Sequence, residues 1–308
     1  MTTNSINNTS SSLTVSNLNL TASTVATLST NSNLILAPNG TGTMSINSVY
    51  TLPTADGSAN QLLQTNGTGA VSFVTSQSFS SIVTQTFTSS GTYTPTSGMV
   101  YCIIEVCGAG GGGGGAPATG SGQTSVGCPG SGGGYAVGIY DAATIGASQT
   151  VTIGAGGTAG NSTTPGGTGG TTSVGSLLTG FGGSGGNVNG GLSVAATATA
   201  STEINAPPGT GVGGYLQING QWPSFPFAYT SGGSSFGTNG IGGLSYLGKK
   251  ATLNFQGNER STAQGSDGST PTDYGVGGGG SFNLSNQGTT RTGGAGAPGV
   301  VIVTEYIR

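Results

Sequence analysis

Glycine is crowded into one part of this chain, with 7 of the 64 in residues 1–107 and the other 57 in residues 108–308. Each glycine that becomes ordered gives up about 0.5–1 kcal/mol more than alanine would, through backbone entropy, so such a density in a folded region needs a structural return. Collagen is excluded, because Gly108 to Gly115 and Gly127 to Gly134 break the Gly-X-Y period. A flexible linker is monotonous, whereas these runs are punctuated by apolar stretches and by Pro117, Pro129, Pro165 and Pro298. A phosphate-cradling loop needs a Lys beside its glycines, and no run has one. The remaining solution is extended, polyproline-like glycine segments packed side by side. Without Cβ atoms their backbones can approach closely and hydrogen-bond each other, so that backbone forms the core.

The rest of the composition narrows function. Only 4% of the chain is charged, the formal net charge is -3, and the first basic residue is Lys249. A stretch of this length without Lys or Arg cannot neutralise a phosphate backbone, which argues against nucleic-acid binding. It also lacks the positive n-region of a signal peptide, and no apolar run approaches a membrane span, so neither export by the usual route nor membrane insertion is expected. Cys102, Cys107 and Cys128 are odd in number and have no CxxC or His partner, which points away from a disulfide framework or a zinc site. On a strand over 100–107, Cys102 and Cys107 would face opposite sides. There is no His and no close carboxylate pair, so general acid/base chemistry lacks actors and the chain reads as a non-enzyme without cofactors.

In the first 86 residues Ser, Thr and Asn account for 44, interrupted by short alternating runs such as Leu13-Thr14-Val15, Leu18-Asn19-Leu20 and Leu34-Ile35-Leu36. Such runs read as small strands without a core of their own. Asn39-Gly40-Thr41-Gly42-Thr43-Met44-Ser45-Ile46 recurs as Asn66-Gly67-Thr68-Gly69-Ala70-Val71-Ser72-Phe73, and Asn-Gly is a strong hairpin signal because both residues tolerate positive φ. Repeated units with small apolar faces must bury them against copies of themselves, and parallel self-association is expected. From Phe87 the pattern changes. Strands are predicted at Val100-Tyr101-Cys102-Ile103-Ile104-Glu105-Val106, at Tyr135 to Tyr140 and at Val151-Thr152-Ile153, each flanked by glycine. A final strand over 299–306 is expected to pair near 100–107. The expected organisation is a Ser/Thr/Asn-rich repetitive shaft and attachment region over 1–86, followed by a glycine-rich distal domain over 87–308.

The order of blocks is familiar. Phe87 to Pro95, then Glu105-Val106-Cys107-Gly108-Ala109-Gly110, then Gly133-Gly134-Tyr135-Ala136, then Val151 to Gly157, then Gly294-Ala295-Gly296-Ala297-Pro298-Gly299-Val300 resembles the glycine-rich domain of bacteriophage and other viral tail-fibre proteins. Upstream, Tyr50-Thr51-Leu52-Pro53-Thr54-Ala55-Asp56-Gly57 with Asn60 to Gly67 looks like a segment common in viral fibres. Where family members carry Trp, this chain has Cys107. The resemblance implies an all-β chain: an elongated trimeric β-rich fibre followed by a glycine-rich β-sandwich with packed polyglycine II helices. It also implies a virion location on tail or capsid, a homotrimer, N-terminal contacts with other virion proteins, and a distal domain that touches the host surface. A fibre without receptor binding and a surface-glycan depolymerase are the competing readings. For the latter, no two of Glu105, Asp141, Glu203, Glu259, Asp267 and Asp273 stand out as a pair across a groove.

Eight of the 20 aromatic residues lie between 215 and 255. The candidate receptor-binding residues are Tyr215, Gln217, Asn219, Trp222, Phe225, Phe227, Tyr229, Tyr246, Lys249 and Lys250. Aromatic rings beside amides suit a host surface carbohydrate or an outer-membrane protein loop. The competing reading makes these aromatics the core of an insertion. Asp267 to Asp273 lacks the oxygen spacing of a calcium loop and reads as a polar turn, so no metal site is expected.

Overall fold

The structure, a computed structural model, describes residues 43–46, 50–76, 79–162, 164–193, 199–200, 206–231, 234–248, 255–257 and 265–308. The runs at 13–15, 18–20 and 34–36, and the first four residues of the first repeat copy, lie outside them. The chain forms two compact units, Met1–Gln77 and Ser78–Arg308.

In the first unit Ser45–Ile46 pairs with Tyr50–Thr51, and Gln61–Thr65 forms an antiparallel hairpin with Val71–Thr75. The second Asn-Gly does sit in the hairpin turn, but by a different mechanism from the one expected. Positive φ falls on Gly67 and Gly69 and not on Asn66, whose Oδ1 instead accepts from the amides of Thr68 and Ala70 and closes a five-residue loop. Leu62 and Leu63 are both more than half exposed.

The second unit is all-β and built from small antiparallel sheets. In one five-stranded sheet Met99–Cys107 lies between Tyr135–Asp141 and the C-terminal Val300–Ile307. The C-terminal strand therefore pairs where the sequence indicated. Leu216–Ile218 forms one edge and Ser81–Phe87, which begins ahead of residue 87, forms the other. A second five-stranded sheet combines Gly91–Tyr93, Gln149–Thr152, Thr172–Val174, Leu178–Gly180 and Gly211–Val212. Alternate residues of the two sheets meet in the main core: Cys102, Ile104, Val106, Val301 and Val303 from the first against Tyr93, Val151, Val174 and Leu178 from the second. Cys107, in the next phase of its strand, joins Tyr135, Val137 and Val300 on the opposite face, as the alternation required.

The glycine runs carry these strands onward. Residues 108–115, 154–160 and 181–187 leave the facing sheets, and residues 128–134, 166–171 and 292–299 enter them. A four-stranded sheet of Val188–Ser193, Gln123–Gly127, Ser281–Asn283 and Gly265–Ser266 holds the other ends of two of these runs, 128–134 and 181–187. Between the sheets the backbone is buried. Seven consecutive amides, those of residues 108–114, donate in rotation to three antiparallel neighbours. Gly108, Gly111 and Gly114 reach Gly134, Ser131 and Cys128; Ala109 and Gly112 reach Gly170 and Gly167; Gly110 and Gly113 reach Ala297 and Gly294. The carbonyls of the same run accept from three further segments: Gly183 and Gly186 bond Ala109 and Gly112, Gly157 and Gly160 bond Gly110 and Gly113, and Gly278 bonds Gly111.

Six neighbours thus surround one run with a period of three residues, and the obligatory pairing of buried peptide groups is met without strand ladders. Absence of Cβ is the condition for this approach. A methyl group on Gly112 would run into the Thr158 carbonyl oxygen, and one on Gly113 into that of Gly279.

Candidate functional site

Residues 206–248 carry most of the candidate contact residues. Gly211–Val212 pairs with Leu178–Gly180, after which Gly213 and Gly214 turn the chain into the edge strand Leu216–Ile218. Tyr215 and Gln217 are exposed on this edge, and the Gln217 amide nitrogen donates to the Gly213 carbonyl at 3.1 Å. Asn219 is also exposed.

The loop that follows is fixed by its backbone and free at its side chains. The Gln221 amide donates to Leu244 and its carbonyl accepts from Gly132; the Ser224 amide donates to Ile241, whose own amide donates back to the Ser224 hydroxyl. Pro223 and Pro226 are buried, while Trp222 and Phe225 are 57% and 64% exposed. Within this chain these two rings are therefore not the core of an insertion. Two internal proline anchors alternate with two projecting aromatics, a consequence of the extended conformation that proline imposes around it.

The remaining aromatics divide into two contacts. Phe227–Ser231 and Ser234–Thr238 form a hairpin in a separate four-stranded sheet. Phe236 packs edge-on to Phe227 at 5.7 Å and tilted against Tyr229 at 4.9 Å, while Ala228, of opposite phase, enters the core of Val126, Phe282 and Leu284. Tyr246, half exposed, lies on Tyr135 with ring centroids 4.3 Å apart. The Tyr135 hydroxyl donates to Glu105 at 2.7 Å. Burial first, then the Glu105 carboxylate and the neighbouring Tyr246 and Tyr215, hold the Tyr135 phenol well above its ordinary range. Tyr215 and Tyr246 thus share Tyr135 as a neighbour. Lys249 and Lys250 lie outside the described residues.

Glu305 was visible in the sequence only as an isolated acid within an apolar strand. In the structure it is fully buried and accepts from the Tyr93 hydroxyl at 2.8 Å and from the Thr96 amide and hydroxyl at 3.0 and 2.5 Å. Burial pushes its carboxyl up, but donation from Thr96 and Tyr93 outweighs burial and holds it below the ordinary carboxylate range. The network ties the C-terminal strand to the turn after Gly91–Tyr93. The signal that marks it is a charged residue in a strand that is otherwise uncharged and mostly apolar, because a buried carboxylate is tolerated there only when it is hydrogen-bonded. Asp267 accepts from the Thr292 amide and lies 4.0 Å from Arg291. Among the described residues no cluster of His, Cys, Asp and Glu is placed to hold a metal ion.

These features define a class: an all-β protein in which glycine backbone takes the place of side chains over part of the interior, with aromatic residues displayed at the surface. The chain belongs to the glycine-rich domain family, whose match spans residues 83–306. No curated protein matches the sequence.

Proposed function

We propose that this chain is a viral fibre protein of bacteriophage type, a structural part of the virion that recognises the host cell surface through its glycine-rich domain. In this reading the Ser/Thr/Asn-rich shaft over 1–86 attaches to other virion proteins, three copies assemble, and the region over 87–308 is distal. The glycine segments are packed polyglycine II helices. Support for that last point is the three-residue rotation of hydrogen bonds around residues 108–114, which is the period of a polyproline-type helix.

The observation that carries the recognition reading is the loop over 219–226. Trp222 and Phe225 project from a backbone fastened at Gln221 and Ser224. Rings held ready in this way lose little conformational entropy on binding, which is how aromatic contact residues gain affinity for a carbohydrate or a protein loop. The test is adsorption of the purified chain to host cells. Wild-type protein is expected to bind saturably and to block virus adsorption, and Trp222→Ala to lose at least tenfold in binding with its melting temperature unchanged. Absence of saturable binding by the wild type would favour a fibre without receptor contact, and full binding by Trp222→Ala would remove the loop from the site.

A further inference from the structure

The backbone that carries the Trp222 loop repeats every three residues. The amides of Gln221 and Ser224, three apart, donate to the carbonyls of Leu244 and Ile241, also three apart, on an antiparallel neighbour. Burial follows the same count. Gly220, Pro223 and Pro226 are buried, and the residue before each of them, Asn219, Trp222 or Phe225, is exposed. A chain with three residues per turn sets side chains three apart in one line, and at about 3.1 Å per residue successive members of that line stand about 9 Å apart. The loop therefore displays an amide, an indole and a phenyl ring at even steps along a fixed ledge.

That step selects among occupants. Same-face side chains repeat at about 7 Å along a β-strand and at about 5–6 Å along a helix, so neither brings successive groups to both rings. Alternate sugars of an extended polysaccharide turn the same face to one side at close to the spacing of this row, and the C–H face of a pyranose is an apolar surface that an aromatic ring can cover. A polyproline-type peptide shares the repeat, but proline offers only acceptors. The polar groups of the ledge need both donors and acceptors. Asn219 and Gln221 are exposed, no described residue bonds to their side chains, and each amide can donate and accept. The Ser224 hydroxyl accepts from the Ile241 amide at 2.6 Å and keeps its own proton to donate. Charge narrows the class further. Residues 206–248, which include the segments bonded to the ledge through Gly209, Ile241 and Leu244, contain no Asp, Glu, Lys or Arg. An ionised glycan would find no counter-charge in this stretch.

We infer that the ledge over 219–225 binds an extended, neutral polysaccharide of the host surface lengthwise, with alternate sugars on Trp222 and Phe225 and the Asn219 amide at the next step. The inference rests on the host-recognition reading and adds the chemical class of the receptor. It also sets a minimum length, because three consecutive sugars are needed to reach both rings.

The test measures adsorption of the full-length wild type to host cells in competition with surface polysaccharide extracted from the same cells and freed of protein. The extract is expected to block adsorption. Failure to block it overturns this inference and leaves host recognition standing, whereas no saturable adsorption to the cells overturns the recognition reading itself. Fragments of the extract then read the spacing. Those of three or more sugars should compete at least tenfold better than those of one or two, and Phe225→Ala should lose that advantage while still admitting short fragments. Equal competition at all lengths by the wild type, or an unchanged length dependence in Phe225→Ala, overturns the lengthwise fit. A neutral ligand has no charge to screen, so competition should be the same in low and high salt, and its loss in high salt overturns the neutral assignment. The Phe225 ring is more than half exposed, so the variant is expected to fold. Should it not, Phe225→Leu, which keeps apolar bulk without the ring, decides by the same readout.

Discussion

Replacement of Gly113 by alanine isolates the claim that backbone, not side chain, fills part of this interior. The Gly113 amide donates to Gly294 and its carbonyl accepts from Gly160, both at 2.8 Å. A Cβ at this position points into the Gly279 carbonyl oxygen, which itself accepts from Gly294. For the methyl group to fit, the run over 276–280 must retreat. That movement strains three bonds: Gly294 to Gly279, Gly278 to Gly111, and Gly130 to Gly278, at 2.8, 2.8 and 2.9 Å. A net contribution of about 1 kcal/mol per bond puts the loss near 3 kcal/mol, and buried groups left unpaired would raise it. Alanine recovers about 0.4–1 kcal/mol by restricting the unfolded chain. A net loss of at least about 2 kcal/mol remains, worth a fall in melting temperature of roughly 4–8 °C for a unit of this size. Gly288→Ala is the matched control, since a Cβ there meets nothing within 4 Å; its melting temperature should be unchanged or slightly higher. Differential scanning calorimetry at pH 7 measures both. If the two variants melt within 1 °C of each other, close glycine packing is not what holds this region together.

Two other outcomes can be measured on the same protein. Glu305→Gln should cost about 1.5–3 kcal/mol at pH 7, the range for hydrogen bonds to a charged group. The folded carboxyl lies below its ordinary value, so the stability it confers is present above the unfolded carboxylate range and is lost as pH falls toward the folded value. Wild type and variant melting temperatures should therefore converge on acidification, and a gap that is constant from pH 7 to pH 3 would contradict the network. Cys102 and Cys107 are fully buried, and burial pushes each thiol up to about 11. They and Cys128 should stay unreactive to a disulfide reagent at pH 8 until denaturant is added, and rapid modification of the native protein would mean that the sheets open.

What was legible in the sequence depended on side chains. The apolar runs over 100–106 and 300–303, each bordered by glycine, identified two strands expected to meet in one sheet, and in that sheet a one-residue slip would turn Ile104 and Val303 out of the core. The displayed aromatics were legible as a cluster in sequence, but their division was not. Nothing local says that Pro223 and Pro226 turn inward while Trp222 and Phe225 turn outward, since Gly132, Ile241 and Leu244, which fix that loop, arrive from other parts of the chain.

The partners of the glycine runs were not legible at all, for a physical reason. A run such as residues 108–115 presents nearly the same surface at every residue, so it carries little of its own information about register. Register must come from the ends. Met99–Cys107 fixes where the run begins, and Gln123–Gly127, which pairs with Val188–Ser193 and Ser281–Asn283, fixes where its neighbours are held. Because the donors rotate among three neighbours, a slip of one residue would direct every amide of 108–114 to the wrong segment. The side-chain packing of the sheets thus sets the register of a glycine interior that cannot set its own. This also explains why apolar residues concentrate in strands that border the glycine runs.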